Sequence, residues 1–110
     1  MAYDVELARR LGMLLASEKD VRETKMFGGV AFMVGGHMCV GVWRDSLMLR
    51  VGPACAADLL EQTDIRPMDI TGRPMKGWVM VQPQGLTRDS RVFDLVSLAL
   101  VFVRTLPPKK

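Results

Sequence analysis

Residues 26–51 read MFGGVAFMVGGHMCVGVWRDSLMLRV. Three short apolar runs are separated by Gly35-Gly36 and by Arg44-Asp45. A glycine pair supplies the positive φ that a two-residue hairpin loop needs, and Arg44-Asp45 is a polar break between apolar runs. With two-residue loops, Val34 faces His37, Met33 faces Met38, Trp43 faces Ser46 and Val42 faces Leu47. Side chains alternate across a strand, so this register sorts the meander into two faces. One carries Ala31, Met33, Met38, Val40, Val42, Leu47, Leu49 and Val51, is apolar throughout, and is expected to face the core. The other carries Val30, Phe32, Val34, His37, Cys39, Trp43, Ser46, Met48 and Arg50, and is mixed. Gly28-Gly29 reads as a bulge, a bend or a close backbone approach inside the first strand.

Outward from the meander, residues 3–16 place Leu7, Leu11, Leu14 and Leu15 at helical spacing, with Asp4 and Glu6 where the helix dipole favours anions. Gly12 inside that pattern weakens the helix or marks close packing on the sheet. Residues 17–23 form a polar connection. After Val51, Gly52-Pro53 opens a short helix to about Gln62, with proline at its first position. Residues 64–67 are a break, 68–71 a short strand and 77–82 a clearer one. A last helix runs from about Arg88, capped by Thr87, and stops before Pro107-Pro108. Its inner stripe is Val92, Leu95, Val96, Ala99, Phe102, Val103 and Leu106; Leu98 and Val101 fall outside it. The order is α-β-β-β-α-β-β-α. It predicts one two-layer α+β domain over residues 1–110, a five-stranded antiparallel sheet with helices on one face.

Composition narrows the class. A chain of 110 residues that is 49% hydrophobic and 25% charged is ordinary globular usage and large enough for one core. The net charge of +3 is small, and Lys109 and Lys110 at the tail account for most of it, so no basic body for nucleic acid is indicated. Cys39 and Cys55 form no CxxC, which fits a reduced cytoplasmic setting. The start MAYDVELARR has no signal-peptide apolar region, and the run over 92–103, broken by Asp94 and Ser97, is too short to span a bilayer.

The chemistry-bearing residues are few. His37 and Cys39 lie two apart on one strand and Cys55 could approach them, but a closed zinc site takes a fourth ligand, so no metal is expected. Cys55, third in its helix, could be acidified by the dipole, yet a thiol nucleophile needs a base partner that the spacing does not supply. No catalytic residue and no cofactor are expected. The loop Gly72-Arg73-Pro74-Met75-Lys76-Gly77 puts Arg73 and Lys76 between glycines, and with Lys25 they could hold an anion or nucleic acid.

Two blocks carry a family resemblance. The first is Lys25-Met26-Phe27-Gly28-Gly29, then Phe32-Met33, Gly36-His37-Met38-Cys39 and Gly41-Val42. The second is Arg66-Pro67-Met68 with Thr71-Gly72-Arg73-Pro74-Met75-Lys76-Gly77-Trp78-Val79, followed by the ending Phe102-Val103-Arg104 and Leu106-Pro107. Together they resemble the TfoX N-terminal domain family over essentially the whole chain. The resemblance implies the α+β fold. It also implies kinship with bacterial regulators of natural competence that carry a second, helical domain. The chain stops at Lys110, so a stand-alone member lacking that domain is expected.

The resulting expectation is a non-enzymatic, cytoplasmic regulatory or protein-interaction module with an unidentified protein partner. A nucleic-acid-binding accessory protein is the alternative, and an uncharacterised enzyme the third reading. Phe32, Trp43 and Met48 on the mixed face, or Leu98 and Val101 on the last helix, are the expected contacts of a homodimer, since large apolar patches are rare on monomers.

Overall fold

The computed structural model describes residues 3–26, 28–68 and 75–107. Helix α1 (Val5–Leu14) is followed by strands β1 (Val21–Met26), β2 (Gly29–Val34), β3 (His37–Trp43) and β4 (Ser46–Arg50). Helix α2 (Pro53–Leu59), strands β5 (Ile65–Pro67) and β6 (Trp78–Val81), a 3₁₀ turn (Pro83–Gly85) and helix α3 (Asp89–Arg104) complete the chain. The described strands form one antiparallel sheet in the order β1-β2-β3-β4-β6-β5. The architecture is α+β as expected, but the sheet has six strands rather than five.

The added strand is β1. Its first half, Val21-Arg22-Glu23, is polar enough to read as part of a connection, because an edge strand has little to bury. Gly28-Gly29 is accordingly part of a reversal and not a bulge: Met26 pairs with Gly29, and Gly28 has φ 74°. At the other edge, β5 occupies 65–67, where a break was expected. Met68 lies just past it, and residues 69–71 of the expected strand fall outside the described residues.

The hairpin loops obey the sequence. Gly35 and Gly36 have φ 59° and 84°, and Val34–His37, Met33–Met38, Trp43–Ser46 and Val42–Leu47 are all paired. Beyond Met33 the register shifts. Phe32 faces Val40 and Val30 faces Val42, which leaves Cys39 as the extra residue of a bulge. Because the extra residue lies in β3, all of β2 is turned over relative to Val40 and Val42. Val30, Phe32 and Val34 therefore join Val40, Val42, Leu47 and Leu49 in the main core, with Cys39 among them. Ala31, Met33 and Met38, expected on the core face, lie on the opposite one, where Ala31 is still fully buried.

All three helices close that core. Leu7 and Leu11 of α1, Ala56 and Leu59 of α2, and Val92, Leu95, Val96, Ala99 and Val103 of α3 pack on the same side of the sheet. Asp4 caps α1, accepting from the Leu7 amide at 3.0 Å. The cap expected from Thr87 is not made. Arg88 holds the N-cap position of α3 without a side-chain bond.

The opposite face has its own small core. Met48, Met68 and Met80 are buried there, with Met38, Trp43, Met75 and Trp78 packed around them. Met68 and Met75 belong to the segment between β5 and β6, tied by a 2.8 Å bond from the Met75 amide to the Met68 carbonyl. Flexible thioethers pack readily into such a cluster.

Candidate functional site

The second face was the first candidate for an interface, and the chain itself occupies most of it. Met48 is 0% exposed, flanked by its cross-strand neighbour Met80 and clustered with Met68. Phe32, at 2%, points the other way into the main core, a consequence of the bulge. Neither residue is available to a partner. Trp43 is half-buried, with the Arg44 guanidinium 4.6 Å from its ring centroid, a cation–π arrangement that covers one ring face.

Leu98 and Val101 behave differently. They are 40% and 69% exposed on the flank of α3 turned toward α2. Between the two helices runs a groove of about 360 Å³. Leu98, Val101 and Phe102 form one wall, and Pro53, Ala54 and Cys55 the other. The groove exists because of how α2 begins. The amides of Val51 and Gly52 both donate to the Gly77 carbonyl, at 2.9 and 3.0 Å, which pins the start of α2 to the approach of β6. Gly52 has φ 87°, and a Cβ there would sit 2.7 Å from two atoms of the Phe102 ring. Only glycine satisfies both demands. Phe102, expected in the inner stripe, thus lies over Gly52 as part of the groove wall.

The groove is poor in polar function. The Thr105 hydroxyl is spent on the Phe102 carbonyl at 2.6 Å. The Cys55 thiol is pushed up by burial and then by the charge of Asp58, the reverse of the acidified thiol that the helix start suggested. Cys39 is more extreme: burial in the main core pushes it up to about 12. His37 does not approach either cysteine as a base. Its Nε2 lies 2.6 Å from the Pro107 carbonyl oxygen. No metal-holding group of His, Cys, Asp and Glu occurs among the described residues. What this groove can do is take up apolar side chains.

Lys25 and Lys76 are not gathered. Both are exposed, but β1 and β6 are separated by β2, β3 and β4, which is roughly 19 Å of sheet width. They also lie at opposite ends of the strands, Lys25 at the end shared by the Trp43–Ser46 turn and Lys76 beyond Trp78 and Arg50. Arg73 falls outside the described residues. Four further large apolar side chains are exposed among the described residues: Val5, Met13, Leu60 and, on α3, Phe93 at 54%. Phe93 lies outside the inner stripe of α3, a sequence signal of its exposure.

Fold and groove together define a two-layer α+β domain with a helix-flanked apolar surface. The chain belongs to the TfoX N-terminal domain family, whose model matches residues 13–103. Comparison with curated proteins gives no match, and neither does comparison with solved structures. No helix among the described residues is long and apolar enough to cross a membrane.

Proposed function

We propose that this chain is a non-enzymatic regulatory module of the bacterial cytoplasm that works through protein–protein contact and self-associates as a homodimer. The α2–α3 groove is the surface it offers to a partner protein. One observation carries the reading: Leu98 and Val101 stand 40% and 69% exposed at the rim of an apolar groove. Leaving apolar surface in water costs about 25 cal/mol for each Å². A partner's apolar side chains relieve that cost. The raised thiols of Cys39 and Cys55 favour a binding role over thiol chemistry. Kinship with competence regulators supports a regulatory setting, and is an argument from family alone. The nucleic-acid alternative draws no support from Lys25 and Lys76, which lie far apart.

Affinity capture from a native extract, with wild type, Val101→Glu and Trp43→Glu as baits, tests this reading. A protein held by wild type and Trp43→Glu but lost by Val101→Glu, and then reconstituted from pure components by calorimetry, is the expected result. Undiminished binding by Val101→Glu would place the contact elsewhere.

A further inference from the structure

We propose that a second copy of this chain docks along β1, antiparallel to it, with the two-fold axis at Thr24. The inference rests on the self-association in the reading above and places that contact away from the groove, which is left to a different protein.

The two edges of the sheet differ. β5 has three residues and ends in Pro67, which has no N–H to offer, so that edge is blunted. β1 has six residues and no proline, and pairs only with β2. Its backbone phase is fixed at both ends. Met26 faces Gly29 across the two-residue turn, and the Gly35 amide donates to the Asp20 carbonyl at 3.1 Å. Residues 20, 22, 24 and 26 therefore bond toward β2, and hydrogen bonding alternates along an antiparallel pair. The N–H and C=O groups of Val21, Glu23 and Lys25 point outward, and they have no backbone partner among the described residues. The helix layer meets only the start of this edge, where Arg104 of α3 bonds Glu18 and the Lys19 carbonyl and Val21 packs on the core. α3 packs over β2, β3 and β4, and α1 over β3. Glu23 and Lys25 are both exposed.

The side chains specify what fits. Glu23-Thr24-Lys25 is self-complementary when run against itself. Placing Thr24 opposite Thr24 sets Glu23 against Lys25 of the second copy, and Lys25 against its Glu23. In that same register the outward backbone groups of Glu23 and Lys25 meet as hydrogen-bonded pairs, so charge and backbone phase agree. An isologous contact uses each complementary pair twice. A lone lysine on an edge repels a second copy, as edges guarded against aggregation do. Here each lysine is matched by a glutamate two residues away, which permits one register and penalises its neighbours. The product is a single sheet continuous across both copies, a strand addition.

Sedimentation equilibrium at micromolar concentration tests the proposal with the full chain. Wild type should have the dimer mass. Glu23→Lys alone, or Lys25→Glu alone, puts like charges opposite each other twice and should weaken the dimer at least tenfold. The exchange of both, Glu23→Lys with Lys25→Glu, should restore the wild-type mass. Circular dichroism confirms that these exposed substitutions leave the fold intact. Amide exchange at Glu23 and Lys25 should be slow in the dimer and fast in either single variant. A monomeric wild type, single variants that dimerise as wild type does, or failure of the exchange to restore the mass would each overturn the proposal. Val101→Glu should remain a dimer. If it alone becomes a monomer, the second copy sits in the groove: β1 pairing is then wrong, and the groove's role in protein contact stands.

Discussion

Arg91, on the first turn of α3, engages both carboxylate oxygens of Asp64 just ahead of β5, with Nη2 3.1 Å from Oδ1. The same guanidinium bonds the Gly85 carbonyl at 3.2 Å and the Gln62 amide oxygen at 2.5 Å. One side chain thus ties the end of α2, the start of β5, the 3₁₀ turn and α3 together. Gly85 leaves room for it, since a Cβ there would collide with the Asp64 carboxylate.

The hydrogen bonds from Arg91, aided by its charge, hold the Asp64 carboxyl below the usual aspartate range. A carboxyl lowered on folding stabilises the native state above its unfolded value of about 3.9, and that contribution is lost as pH falls through the folded value. Asp64→Asn should cost about 1–2 kcal/mol at neutral pH. Urea unfolding between pH 7 and pH 3 should show wild type and variant converging on the acid side. A constant gap across that range would mean that the ion pair is not the cause.

Two glycines should respond oppositely to alanine. At Gly12, inside α1, a Cβ would meet only Phe32 Cε2, at 3.9 Å, an ordinary contact. Gly12→Ala should therefore raise stability by about 0.5–1 kcal/mol through helix propensity. At Gly41, a Cβ would fall 2.7 Å from both the Val30 carbonyl oxygen and Met48 Cε. Gly41→Ala should lower stability by about 1–3 kcal/mol, since backbone cannot yield as a side chain can. Chemical denaturation of the two variants decides both signs.

The thiols should separate kinetically. A disulfide reagent at pH 8 should modify Cys55 in the native protein and reach Cys39 only after denaturation, since Cys39 is fully buried and Cys55 is not. Burial raises the Cys39 thiol to about 12 in the folded state, so native stability is intact below the ordinary thiol value of about 8.5 and declines as pH rises beyond it. Cys39→Ala should flatten that alkaline decline. Rapid labelling of both thiols in the native state would contradict the buried position of Cys39.

Much of this protein is local, and the sequence determined that part by itself. Leu7 and Leu11 recur at helical spacing, Gly35-Gly36 supplies two positive φ angles, and Gly52-Pro53 opens α2. Each depends on neighbours a few residues away, and these set the α+β class and the pairs beside each turn. Two features needed the folded chain. The single extra residue at Cys39 inverted β2, because a turn fixes register only until the ladder is interrupted, and no nearby residue announces the bulge. That inversion moved Phe32 from the surface to the core. The groove likewise depends on the bonds of Val51 and Gly52 to Gly77 and on Phe102 lying over Gly52, contacts between residues distant in the chain. Sequence periodicity marked Leu98 and Val101 as surplus to the core, but only tertiary packing could place them beside α2 and bury Met48 in one cluster with Met68.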